Sequence, residues 1–394
     1  MNALKGIRIL DLSRVLAGPY CTMMLADFGA DVVKIEPPNG GDDSRSFGPF
    51  IGRESAYFMS LNRNKRSIVL DLKKEEDKGV FKELVKNADV VVENYRPGTM
   101  EKFGLGYETL KEVNPKIIYA ACSGFGDSGP YRQKPAYDII VQAMGGIMSI
   151  TGAEGGEATR VGASIGDLAA GMFTAYGVML ALFHRERTQE GQKVDVAMLD
   201  CQVAMLENAV ARYAISGSSP KPLGNRHPSI TPFAAFTAAD GQLIVGAGNE
   251  RLWRKLCQII GHDEWLDDPR FSDNGQRTAN AAQLMALLNG VFVKKTVKEW
   301  LCLLEGAELP CAPINDIEKM MADPQIKARE MIVELEHPSA GVVKMPGIPV
   351  KLSKTPGKIA AAAPRLGEHT KDILAEVKEK AQEEAMLWPQ ASGH

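Results

Sequence analysis

The chain is sparing in the features that commit a protein to a special class. Only six of its 394 residues are cysteine and only six are histidine. Cys21, Cys122, Cys201, Cys257, Cys302 and Cys311 form no Cys-x-x-Cys pair, and no two histidines stand at metal-ligand spacing. That excludes a zinc ribbon, and in a chain long enough to bury its own core it excludes a disulfide framework. An excess of one charge is missing as well: Lys and Arg total 46 against 49 Asp and Glu, a net charge of −3. Such a balance argues against nucleic acid or an anionic membrane as the main partner, while leaving room for a local anion site. No segment reaches the roughly 18 continuous apolar residues of a membrane span. The start, Met1 to Lys5, enters a short apolar stretch without a signal-peptide pattern. These absences predict a cytoplasmic protein with reduced thiols. Hydrophobic residues at 45% and charged residues at 24% rule out disorder or coiled coil as descriptions of the whole chain.

What is there alternates between strand and helix. Strands are expected at 7–11, 31–36, 67–72, 89–94 and 116–122. Helices are expected from Pro19 to a stop at Gly29, at 74–87 and around 107–113. This order predicts an α/β fold with a parallel sheet covered on both faces, and ligands near the carboxyl ends of its strands. A long apolar helix at 166–187, a strand at 193–198 and a helix at 200–216 follow. Gly217, Pro220, Pro222, Gly224, Pro228 and Pro232 then break the pattern. The boundaries read as 1–215 for a large domain, 216–232 for a crossover, 233–323 for a small α+β domain and 324–394 for a final segment. The small domain opens on a hairpin, 233–237 and 243–247, turned at Asp240-Gly241, and ends in a turn around 313–316. The final segment carries a strand at 342–352 and a polar helix at 368–384.

Several motifs admit competing readings. Gly124-Phe125-Gly126-Asp127-Ser128-Gly129 matches a dinucleotide fingerprint, but Pro130 and Pro135 oppose the helix that should hold the phosphate. Arg63, Lys65 and Arg66 read as a solvated loop or as phosphate contacts; Arg96 and Lys102 likewise suit phosphate, and Arg45 suits a carboxylate. His227 stands in a loop that could line a site, whereas His262, His337 and His394 read as surface residues. Asp167 is the most unusual acid, alone among small apolar residues at a helix start. It reads either as a capping carboxylate or as a nucleophile that the helix N-terminus keeps ionised. The overlapping Gly162-Ala163-Ser164-Ile165-Gly166 matches a serine-hydrolase elbow, but it lacks the preceding strand that such an elbow needs.

In order along nearly the whole chain, several stretches resemble the class III CoA-transferases. That group includes formyl-CoA:oxalate and carnitine CoA-transferases and is related to 2-methylacyl-CoA racemases. The stretches are Leu10-Asp11-Leu12-Ser13-Arg14-Val15-Leu16-Ala17-Gly18-Pro19, Gly29-Ala30-Asp31-Val32-Val33-Lys34-Ile35-Glu36 and Asn64-Lys65-Arg66-Ser67-Ile68. After them come Glu93-Asn94-Tyr95-Arg96-Pro97-Gly98, Gly166-Asp167, Gly191-Gln192-Lys193-Val194-Asp195-Val196-Ala197-Met198 and Leu366-Gly367-Glu368-His369-Thr370.

The resemblance implies an interlocked ring homodimer and a Rossmann-like large domain that the C-terminal segment completes. It also implies a CoA-transferase that takes acyl-CoA and a carboxylic acid as substrates and needs no prosthetic group or metal. By position it makes Asp167 the catalytic aspartate and sets Val15, Leu16 and Ala17 beside the thioester. Leu70, Asp71, Leu72 and Lys73 fall at the adenine, Asn94, Tyr95 and Arg96 at the pantetheine and phosphates, and Lys102 at a phosphate. Tyr137 and Asp138 stand beside the active site. Arg45, Phe47, Gly145, Gly146 and His227 are further substrate candidates. Leu16, Pro37 and Phe47 replace a glutamine, an arginine and a tryptophan of the formyl-CoA branch, and that branch's glycine-rich flap is missing before Gly246. The stretches Phe47-Gly48-Pro49 and 224–228 lean toward acetyl-CoA:oxalate-type enzymes, hence toward a small dicarboxylate acceptor. The rival readings are a racemase of the same fold, for which Tyr137 would be a poor base near neutral pH, and a CoA-binding protein without catalysis.

Overall fold

The computed structural model describes residues 2–387; Met1, His394 and the rest of 388–394 lie outside the described residues. By its internal contacts the chain divides into two compact units. One comprises Met1–Ile147, Val161–Val210 and Pro324–His394; the other comprises Met148–Arg160 and Ala211–Asp323.

The first unit is built on β1 (Arg8–Asp11), α1 (Ala17–Asp27), β2 (Asp31–Glu36), β3 (Lys65–Val69), α2 (Glu75–Lys86), β4 (Val90–Glu93), α3 (Tyr107–Val113), β5 (Ile118–Ser123), α4 (Asp138–Met144), α5 (Ile165–Thr188) and β6 (Lys193–Ala197). The strands form one six-stranded sheet in the order β3-β2-β1-β4-β5-β6, parallel throughout. Val32, Val33, Val90, Val91 and Val92 are buried, as continuous β-branched runs in a sheet covered on both faces should be. One face carries α2 and α3 over Ile68, Phe81, Leu84 and Leu110; the other carries α1 and α5 over Ile9, Val32, Ile118 and Val178. The strand order reverses between β1 and β4, so their carboxyl ends open a crevice where such sheets take ligands.

Helix α5 inverts the usual helix pattern. Its small residues, Ala169, Ala170, Gly171, Thr174 and Ala175, are buried, while Met172, Phe173, Tyr176, Leu180 and Phe183 are exposed. A Cβ on Gly171 would lie 2.6 Å from the Ala17 carbonyl oxygen, and one on Gly177 2.6 Å from Val194. The bare glycines let α5 lie directly on α1 and β6. By length and composition α5 could also cross a membrane, with half of its apolar stretch buried in the protein. That corrects the expectation of no such segment; the small-residue face makes α5 a layer of this unit.

The residues at 63–66 are neither a solvated loop nor phosphate ligands. Arg63 pairs with Asp27 at 2.7 Å, Lys65 with Asp11 at 2.9 Å, and Arg66 with Asp31 at 2.7 Å. Charge looked like solvent exposure in the sequence, but the sheet supplies each of these cations with an internal partner. The helix expected over 200–216 splits into α6 (Met198–Ala204) and α7 (Ala209–Ser216), with Glu207 left-handed between them at φ +54°.

The second unit holds β7 (Phe233–Thr237), β8 (Gln242–Gly246), α8 (Glu250–Ile260) and β9 (Cys311–Pro313). The expected hairpin is antiparallel β7–β8, and the region read as a turn near Pro313 adds a strand to β8. Phe236, Trp253, Phe271, Phe292 and Trp300 fill its core. The crossover 216–232 belongs to this unit together with 148–160: the Gly224 N–H donates to the Gly152 carbonyl at 2.9 Å.

The final segment returns to the first unit. There β10 (Ile332–His337) pairs with β11 (Gly341–Pro346), and Glu376 of α9 (Thr370–Leu387) bridges Arg66 and Arg8 at 2.6 and 2.9 Å. His337, read as a surface residue, is buried against the Ala363 carbonyl. Lys65→Met removes the paired cation of the fully buried Asp11 carboxylate and leaves it the Ser13 and Thr22 hydrogen bonds and the charge of Lys34, so we expect a loss of about 3–5 kcal/mol in chemical denaturation. A loss under about 1 kcal/mol would contradict that reading.

Candidate active site

The loops that leave β1, β2 and β4 meet at the crevice. Asn94, just past β4, accepts from the Arg14 N–H at 2.9 Å and donates back to the Arg14 carbonyl at 2.7 Å. Between these loops lies a cleft of about 360 Å³ whose walls include Leu12, Ser13, Arg14, Pro37, Leu70, Asp71, Leu72, Lys73, Tyr95 and Phe103. Leucine and aromatic side chains give it a flat apolar slot; its cations are Lys34, paired with Asp42, Arg14, paired with Asp43 at 2.9 Å, and Lys73, and Glu36 and Asp71 also border it. That mixture suits a nucleotide, whose base is apolar on its faces and whose phosphates are anionic. Among the residues matched by resemblance, 70–73 and Tyr95 line this cleft. Arg96 and Lys102 are exposed and outside its walls, and Asn94 is occupied in tying the loops together.

Asp167 sits in the first turn of α5, whose opening is fixed from α4. Asp138, buried at the start of α4, accepts the Gly166 N–H at 2.8 Å. Gln142, one turn further on, donates to Asp138 at 2.7 Å and accepts the Val161 N–H at 2.8 Å. A Cβ on Gly166 would lie 2.7 Å from Val141, so glycine is needed for this approach. Burial, followed by the neighbouring Asp138 carboxylate, raises the Asp167 carboxyl to about 7. This corrects the expectation that the helix N-terminus keeps it ionised: lost hydration outweighs the favourable helix field. Gly171, one helical turn along, touches Ala17 and brings the start of α1 against the start of α5. Sequence reasoning missed Tyr57. Its phenol is raised to about 12 by burial and then by the carboxylates of Asp167, Asp42 and Asp138, which places it in their electrostatic neighbourhood. Phe47 packs edge-on against it at 5.6 Å. An aromatic two residues past a serine cap is a weak signal in sequence, and only the fold relates it to Asp167.

Other candidates change role. Arg45 is held by both oxygens of Glu36 at 2.7 Å and stacks on Phe58 at 3.6 Å, so its guanidinium is committed inside the fold and does not await a substrate carboxylate. Gly145 makes a close approach, but to Gln202 and the Val141 carbonyl, not to an open pocket. Gly146 turns the chain at φ +85°. Tyr137 is 75% exposed. His227 lies in the second unit, where its Nδ1 accepts the Ser229 N–H at 3.1 Å and its ring meets Phe233. Ser164 precedes α5 without capping it, and no strand leads into it. After Ser123 the glycine-rich stretch forms turns, and the next helix begins only at Asp138.

Compared with known proteins, residues 4–370 match the model of CoA-transferase family III. A mouse succinyl-CoA:glutarate CoA-transferase is 42% identical over 96% of this chain and 87% of its own length. An acetyl-CoA:oxalate CoA-transferase of Acetobacter aceti is 45% identical over 88% of each chain. Among solved structures, a CAIB/BAIF family protein from Brucella suis superimposes with a TM-score of 0.85 at 38% identity, covering 96% of this chain and all 100% of that one.

Following the Asp167 carboxyl by infrared difference spectroscopy should give an apparent pKa near 7 that falls in Asp138→Asn, which removes the like charge. A value near the unperturbed 3.8 in both proteins would contradict the burial argument.

Proposed function

The chain belongs to CoA-transferase family III, and on that premise we propose that it moves CoA from an acyl-CoA to a small dicarboxylic acid through covalent intermediates on Asp167. The reading is carried by one observation: a carboxyl group half withdrawn from water in the first turn of a helix, one turn before the glycine that meets the start of α1. The Asp167 carboxylate attacks the thioester carbonyl. The carbon–sulfur bond breaks, leaving a mixed anhydride and CoA thiolate. The thiolate then attacks the Asp167 carbonyl, the donor acid leaves with an oxygen that belonged to Asp167, and an aspartyl thioester remains. The acceptor carboxylate attacks this thioester, and the steps run in reverse. One thioester replaces another, so no external energy source is required, and the covalent route divides a difficult exchange into easier steps.

Partial dehydration favours the attack, because a carboxylate stripped of water has little solvent to shed. The Ala17 and Gly18 N–H groups at the start of α1 have no acceptor among the described residues and are available to developing oxyanions, each such donor being worth about 3 kcal/mol. The adenine and phosphates of CoA fit the cleft of Leu70, Leu72, Tyr95, Phe103, Arg14 and Lys73. With Arg45 committed to Glu36, preference for a dicarboxylate rests on the relatives named for glutarate and oxalate.

Intact-protein mass spectrometry after addition of succinyl-CoA or acetyl-CoA should find a CoA adduct that Asp167→Ala lacks. Because the attacking form is the carboxylate, adduct formation should speed up as pH rises through about 7 and then level off. A CoA complex with no covalent adduct would leave only a binding protein.

We also propose that the exposed face of α5 is covered by a second copy of the chain. Tyr176, Leu180 and Phe183 are between 51% and 61% exposed in the isolated chain. Sedimentation should find a dimer in the native protein and a monomer in Leu180→Asp. A native monomer would refute the arrangement.

A further inference from the structure

Val15, in the loop between β1 and α1, has φ +67°. A β-branched residue in the left-handed region is a true backbone outlier, because its Cβ crowds the carbonyl oxygen. Such a conformation lasts only where the surroundings over-determine it, and such sites cluster at functional loops.

Here the surroundings can be named. The Val15 N–H donates to Asp42 Oδ1 at 3.0 Å. The same oxygen takes the Ser44 N–H and hydroxyl at 2.9 and 2.8 Å, which fixes the carboxylate. Its other oxygen pairs at 2.8 Å with Lys34, and both side chains are almost wholly out of water. Lys34 Nζ also donates to the Ser13 carbonyl at 2.8 Å, so one ammonium grips the loop directly and again through Asp42. Asn94 holds Arg14 from the opposite wall of the crevice. Lys34 keeps Asp42 charged despite its burial, so the acceptor stays in place across the working pH range.

We propose that Asp42, charged against Lys34, is the positioning residue that holds Val15 in its left-handed turn and so aims the first N–H groups of α1 at the acyl group bound to Asp167. The inference rests on the transferase reading above. Residues 13–16 carry the chain from the sheet into α1, and a relaxed Val15 would redirect the whole helix start. The Ala17 carbonyl abuts Gly171, one turn from Asp167, so any such redirection changes the geometry around the reacting carboxylate. Asp42, almost wholly buried at the edge of the cleft, acts through the backbone of Val15.

The distinguishing variant is Val15→Gly, because glycine adopts positive φ without penalty and needs no clamp. The test is a double-mutant cycle between Asp42→Ala and Val15→Gly. Its readout is the rate of CoA-adduct formation at saturating acyl-CoA, with the apparent KM for acyl-CoA measured beside it. In the native background Asp42→Ala should slow adduct formation about tenfold or more while KM moves less than about threefold. In the Val15→Gly background the same change should slow it less than about threefold. Equal losses in both backgrounds would overturn the proposal, since a residue that merely supports the fold is not rescued by freeing one backbone torsion. If Asp42→Ala fails to fold, Asn94→Ala, on the half-exposed wall of the crevice, enters the same cycle with the same expectations. Absence of an adduct in the native protein would refute the transferase reading instead; an adduct with additive losses refutes only the clamp.

Discussion

The site depends on a carboxylate that the fold half withdraws from water. Asp167 has a helix N-terminus beneath it, which favours its charge, and a half-buried position beside Asp138, which opposes it; the opposition wins and lifts it to about 7. Everything around it serves closeness. Gly166 admits Val141 and Asp138, Gly171 admits Ala17, and Gln142 joins α4 to the segment before α5. A helix with ordinary side chains along that face could not bring the starts of α1 and α5 together. The large residues of α5 are displaced to its outer face as a consequence.

A second layer of charge lies beneath the crevice. Lys34 and Lys65 reach the carboxylates of Asp42 and Asp11 inside the sheet. Buried ion pairs seldom add net stability, because desolvation takes back what attraction gives. Their value here is geometric: each fixes a loop whose backbone would otherwise relax. Stability itself rests on the apolar layers above and below the strands and on the aromatic core of the second unit.

Regular elements were legible where burial and periodicity agree. The strand Asp31–Glu36 and the helix Tyr107–Val113 stand at the residues expected. Strand β3 begins two residues before its expected start because Lys65 and Arg66 look like surface charges until Asp11 and Asp31 are placed beside them. Strand β10 was missed because Glu334 and Glu336 on an edge hairpin carry little hydrophobic signal. At the site, Asp167 was conspicuous as a lone acid among small residues, but its protonation was not legible, since Asp138 lies on another helix. Arg45 was misread for the same reason: Glu36 is nine residues away in sequence and in direct contact in space. Local sequence reports which residues can form an element; it does not report which buried charge answers another.

The central claim is that the Asp167 carboxyl exchanges an oxygen with substrate in every catalytic cycle. Turnover with an acceptor acid labelled with oxygen-18 in its carboxylate, followed by digestion and mass measurement of the peptide that carries Asp167, tests this directly. The account predicts label in that side chain, deposited when CoA leaves on the acceptor's acyl group. Turnover that delivers acyl-CoA product while the Asp167 peptide stays unlabelled would contradict it.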